Sequence, residues 1–124
     1  MSNPSPGLKR DPGHTITVAP HTGTVTVKFG DVVIASTKDA LALQEASYPR
    51  VLYIPFADIY FEHLIATDSS THCPFKGDAT YWSVTGQGEG EKDVMWAYQH
   101  PYDEMLAIKD HGAFYPDKVK IDAG

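Results

Sequence analysis

The sequence carries one cysteine, Cys73, which excludes an internal disulfide and leaves out the cysteine pairs that build structural zinc sites. Basic charge is scarce as well. Ten Lys and Arg stand against sixteen Asp and Glu, a formal charge of −6 with His neutral, and no basic run occurs. Grip on a phosphate backbone needs concentrated positive charge, so nucleic acid is not expected as a partner. No apolar run is long enough to span a bilayer, and Met1 to Gly7, with Pro4 and Pro6, lacks an apolar leader core. A soluble protein of a reducing compartment, without membrane partners, is expected. The location that follows is cytoplasmic.

What is present reads as one β-rich domain. At 124 residues the chain can bury a core without staples. Residues 1–12, with three prolines and Lys9-Arg10, are expected to form a flexible N-terminal arm ahead of a single domain over 13–124. His14 to Ala19 and Thr24 to Phe29 alternate with period two, and Val32 to Ala35 follows a Gly30-Asp31 turn, which together suggest an antiparallel meander. Ala40 to Glu45 fits helix or strand and is taken as strand. Tyr48 to Pro55 is bounded by prolines, so an edge strand is expected. Ala57 to Ile65 suggests one or two helical turns, and Ala66 to Ser70 a loop. Ala79 to Val84 and Val94 to Tyr98 read as hairpin strands around a Gly86 to Lys92 tip. A short helix over Asp103 to Ile108 and a last hairpin from Ala113 to Ile121 complete the chain.

Chemistry concentrates between Thr71 and Trp82. Pro74 and Gly77 bracket Lys76 in a shaped turn, with Lys76 expected at its crest. Cys73 has two readings. One is a thiol activated by His72 or Lys76; the other is a small buried hydrophobe. Neighbours on a strand face opposite sides, so His72 is the poorer partner for Cys73. Lys76 and Arg50 are candidate contacts for an anionic group, or else solvated charges. Tyr53, Tyr81, Trp82, Trp96 and Tyr98 cluster on predicted strands and suit either a ring-stacking pocket or a packed core. Tyr81 and Trp82 must point to opposite faces. The six histidines show no ligand spacing, and the glycines at 86, 88 and 90 lack the following Lys-Ser or Lys-Thr of a phosphate loop. No metal and no cofactor is called for.

Taken in order, Tyr48-Pro49-Arg50, Tyr53-Ile54-Pro55 with Asp58, Cys73-Pro74-Phe75-Lys76-Gly77 with Ala79 and Tyr81, Trp96-x-Tyr98 with Pro101, and Ala113-Phe114-Tyr115 resemble the family of domain of unknown function 427, sometimes labelled a nucleotidyltransferase-type domain. The resemblance covers about residues 14 to 121. It implies a mainly β fold, the β-tent, in which two antiparallel sheets meet at an angle around a pocket. Related folds occur in methionine sulfoxide reductase B and in the thalidomide-binding domain of cereblon. Many such relatives hold zinc through Cys-x-x-Cys pairs. This chain has neither pair, so the metal does not transfer.

Three functional readings remain. The first is a small-molecule binding domain, with a pocket between the sheets lined by Arg50, Tyr53, Cys73, Lys76, Tyr81 or Trp82, Trp96 and Tyr98. The second is an enzyme using Cys73 as nucleophile or Lys76 in group transfer. The third is an interaction module or homodimer joined through an edge strand such as residues 14–19.

Overall fold

Period-two stretches become strands throughout the chain. A computed structural model describes residues 2–86 and 89–123. After a short helix, α1 (Pro6–Arg10), come β1 (Ile16–Pro20), β2 (Val25–Phe29), β3 (Val32–Thr37), β4 (Leu41–Glu45) and β5 (Val51–Pro55). Two 3₁₀ turns, Phe56–Asp58 and Phe61–His63, lead into β6 (Leu64–Cys73), β7 (Gly77–Gly86) and β8 (Glu89–Ala97). A 3₁₀ segment, Asp103–Ile108, precedes β9 (His111–Phe114) and β10 (Lys120–Asp122). The protein is mainly β, with two antiparallel sheets. One has seven strands in the order β1-β4-β5-β9-β8-β7-β6; the other has three, β10-β2-β3.

Alternation along the strands of the large sheet builds two separate cores. Ile54, Val84, Met95 and Phe114 point one way and pack with Val25, Val27, Ile34 and Val119 from the small-sheet side. Tyr53, Tyr81, Ala113 and the half-buried Trp96 point the other way, joined by Leu43, Tyr98, Met105 and Ile108. Each fully buried side chain such as Ile34 or Met95 contributes roughly 1.5–3 kcal/mol of transfer free energy. Gly112 sits between the layers in β9. A Cβ there would lie 2.5 Å from Met95 Sδ and 2.8 Å from Ile59 Cδ1, so glycine leaves room for these two core side chains to pack over β9.

The two cores explain where the expected order of strands fails. β1 does not continue into a meander with β2; it pairs with β4, Ile16 opposite Glu45. Its Ile16 and Val18 belong to the tyrosine core, whereas Val25 and Val27 belong to the other. The Pro20 to Gly23 turn carries the chain from one sheet to the other. β5 is not an edge strand either, because it lies between β4 and β9. Pro49 falls before the strand and Pro55 at its last position, where the missing N–H is tolerated. β9 and β10 do not form a hairpin: the turn after Tyr115, held by N–H groups of Lys118 and Val119 on the Tyr115 carbonyl, sends β10 to pair with β2.

Residues 66–70, expected as loop, lie inside β6 around a register shift between Ala66 and Ser70. The irregularity is held by Asp93, whose carboxylate accepts from Thr67 Oγ1 at 2.9 Å and Ser69 Oγ at 2.7 Å. At the tip expected over Gly86 to Lys92, residues 89–92 are strand, and Gln87 and Gly88 lie outside the described residues. The N-terminal stretch also departs from a loose arm. Ser5 is fully buried, donates to the Pro74 carbonyl at 3.0 Å and caps α1 by accepting from Leu8 N–H. Gly7 N–H donates to the same carbonyl at 2.8 Å, and Asp103 and Glu104 accept from Asn3 and Ser5 N–H. Ser5 supplies what composition could not weigh, a cap and a tertiary hydrogen bond from one hydroxyl.

Candidate functional site

Strand period and register assemble one cavity. Tyr53 of β5 and Trp96 of β8 meet edge to face, ring centroids 6.4 Å apart, and Trp96 Nε1–H donates to the Tyr53 hydroxyl at 3.4 Å. Tyr81 of β7 stands directly opposite Trp96, and Tyr115 backs the indole at 4.5 Å. Tyr98 follows one residue beyond β8. These aromatics, with Leu43, Glu45 and Lys76, line a cavity of about 230 Å³. It does not occupy the interface between the two sheets, which the first apolar core fills. It lies on the opposite face of the seven-stranded sheet, among the tyrosine core.

Lys76 reaches this face through the β6–β7 turn. Lys76 N–H donates to the Cys73 carbonyl, and its own carbonyl accepts from Tyr102 N–H at 2.9 Å. Gly77 has φ +125°, and a Cβ there would sit 3.3 Å from the His100 carbonyl oxygen. Glycine is therefore what lets the chain pass so close. Instead of cresting the turn in solvent, Lys76 is only 8% exposed. Its Nζ pairs with Glu45 Oε1, and His14 Nε2 lies 2.8 Å from Glu45 Oε2. His14 stacks on Phe75 of the turn at 4.0 Å.

Burial alone would raise the Glu45 pKa, but hydrogen bonds and charge from Lys76 and His14 outweigh it and hold the carboxyl below its ordinary 4.5. An ionised carboxylate only accepts, so the shared proton of the second contact sits on His14 Nε2. Burial raises the pKa of Tyr53 and Tyr98, and burial with the neighbouring Tyr81 hydroxyl raises that of Tyr115. All three remain neutral phenols at physiological pH.

The hydroxyls are not all satisfied. Tyr81 shares a 2.7 Å hydrogen bond with Thr71 Oγ1. Tyr53 accepts from Trp96 but finds no protein acceptor for its own proton. Tyr98 is 7% exposed, lines the cavity and has no hydrogen-bond partner among the described residues. Buried polar groups are normally paired. Among the described residues no fully buried side-chain polar atom lacks a partner, so the Tyr98 hydroxyl is open to the cavity rather than sealed off.

Of the residues singled out in the sequence, Tyr53, Lys76, Tyr81, Trp96 and Tyr98 line the cavity. Cys73 is half-buried and packs against the tyrosine core without lining the space. Arg50 is exposed and borders an adjoining apolar groove of about 470 Å³ with Leu52, Phe114 and Ile121. Trp82 stands apart on the other face, in edge contact with Phe56 and Phe61 at 5.8 and 6.0 Å. The strand alternation that puts Tyr81 in the cavity takes Trp82 out of it. Glu45 and His14 were not readable as partners. Their one sequence trace is β1 alternation, which places His14 on the face of Ile16, opposite Glu45.

The family model described as "Domain of unknown function (DUF427)" matches residues 17–123. The chain belongs to this family. No curated protein matches it. The match spans all ten strands except the first residue of β1, so the cavity and the turn bearing Lys76 lie within the family domain, while α1 and His14 precede it. Among the described residues no three His, Cys, Asp or Glu side chains gather to hold a metal ion, and no helix is long and apolar enough to cross a membrane.

Proposed function

We propose that this DUF427 domain binds a small molecule in the cavity between Trp96, Tyr98 and Lys76. The observation that carries the reading is the pair of tyrosines, Tyr53 and Tyr98, 2% and 7% exposed, whose protons have no protein acceptor. No fully buried side-chain polar atom among the described residues lacks a partner, so the Tyr98 hydroxyl opens onto the cavity, and a compound that displaces water there without supplying an acceptor leaves a donor unmade at a cost of about 1–3 kcal/mol. A ligand acceptor placed in the cavity removes that cost. The Trp96 indole, backed by Tyr115, supplies a flat wall, so the ligand is a planar ring compound.

Group transfer through Cys73 or Lys76 finds less support. Lys76 is tied to Glu45, and Cys73 does not line the space. A thermal-shift screen of metabolites, followed by tryptophan fluorescence titration, tests the binding reading. Saturable quenching in the wild type that is lost in Trp96→Phe and retained in Trp82→Phe supports it. A screen without a stabilising compound, or quenching that persists in Trp96→Phe, overturns it.

A further inference from the structure

The polarity of the cavity selects among planar ligands, an inference that rests on the binding reading above. Lys76 carries three N–H donors and no acceptor, and its ammonium donates to one Glu45 oxygen. The Tyr53 oxygen already accepts from Trp96, so what it still offers is a donor. Tyr98 offers a hydroxyl with no protein partner, and a phenol donates more strongly than it accepts. Burial keeps both phenols protonated. Against these donors stands the Glu45 carboxylate, whose oxygens each already accept one hydrogen bond, Oε1 from Lys76 and Oε2 from His14. Tyr81 is likewise engaged, with Thr71.

Charge narrows the class further. Glu45 offsets Lys76 within the same cavity wall. An anionic ligand would bring its charge beside a carboxylate held in its ionised form, while a neutral carbonyl brings no charge for it to repel. We infer that the cavity takes a neutral planar ring compound that turns a carbonyl acceptor toward the Tyr53 and Tyr98 hydroxyls.

Two bicyclic probes of similar size separate acceptor from donor recognition: chromone, which only accepts hydrogen bonds, and indole, whose polar group is a donor. Their affinities for the full chain are read from the Trp96 indole N–H resonance in ¹H–¹⁵N spectra. Chromone is expected to bind about tenfold tighter than indole, the selectivity of a site whose donors need an acceptor once the ligand has displaced water. Tyr98→Phe lowers chromone affinity about threefold to tenfold and leaves indole unchanged, and Tyr53→Phe acts in the same direction. Equal binding of the two probes, tighter binding of indole, or unchanged chromone affinity in Tyr98→Phe overturns the acceptor preference while leaving the cavity as a binding site. If neither probe perturbs Trp96, the cavity reading falls with it.

Discussion

Lys76 Nζ meets Glu45 Oε1 across 31 residues of sequence, and the opposite oxygen of that carboxylate is held by His14. The three side chains come from β4, the segment just before β1 and the β6–β7 turn, so the network fastens a turn to β4 and to the chain entering β1. Both Lys76→Met and Glu45→Gln are expected to lower stability by about 1–3 kcal/mol, because each leaves a largely buried charged group short of a partner. Denaturant unfolding of the two single variants and the double variant checks this. The double variant should lose less than the sum, since both changes remove one interaction.

The same carboxylate sets an acid limb. Its folded-state pKa lies below its ordinary 4.5, so the unfolded chain takes up a proton first as pH falls. The stabilisation is complete above the unfolded value and is lost as pH drops through the lower, folded one. Stability measured by denaturant from pH 7 to pH 3 should fall less steeply below pH 4.5 in Glu45→Gln than in the wild type. Parallel curves would assign the acid limb to other carboxylates.

Gly77 and Gly7 support the turn in different ways. Gly77→Ala forces a β-carbon onto a residue at φ +125° and towards the His100 carbonyl, and strained backbone of this kind costs of order 1–3 kcal/mol. Gly7→Ala would place a β-carbon 2.8 Å from both the Pro74 carbonyl oxygen and Phe75 Cδ1, an overpacking expected to cost about 1–3 kcal/mol. Thermal unfolding checks both. Their effects should differ on the site: Gly7→Ala displaces Phe75 and so the His14 ring stacked on it, seen as a shifted His14 resonance.

Much of the architecture was legible because strand alternation is a local signal. β2, β3, β7 and β8 stand where period two and Gly turns suggested, and of the ambiguous Ala40 to Glu45, Leu41–Glu45 is strand. Pairing was less legible. β1 and β4, or β10 and β2, are joined by which core their apolar faces share, and nothing local states that. The proline rule misplaced β5 because prolines at the ends of a strand interrupt no ladder. In the site, the family motifs drew attention to Tyr53, Lys76, Tyr81, Trp96 and Tyr98, all of which line the cavity. His14 and Glu45 escaped notice because an ion-pair network between distant strands leaves no spacing to read. Ser5 and Gly7 escaped it because a proline-rich composition says little about a segment held by the Pro74 carbonyl and by Asp103 and Glu104.

The most direct test uses the two tryptophans as reporter and control. Trp96 lines the cavity and Trp82 packs on the other face of the same sheet, so their indole N–H resonances answer separately. Titration with compounds that raise the unfolding temperature is predicted to shift the Trp96 indole resonance saturably and leave that of Trp82 in place. Stabilising compounds that move Trp82 instead, or that leave Trp96 untouched, would contradict a ligand site in this cavity.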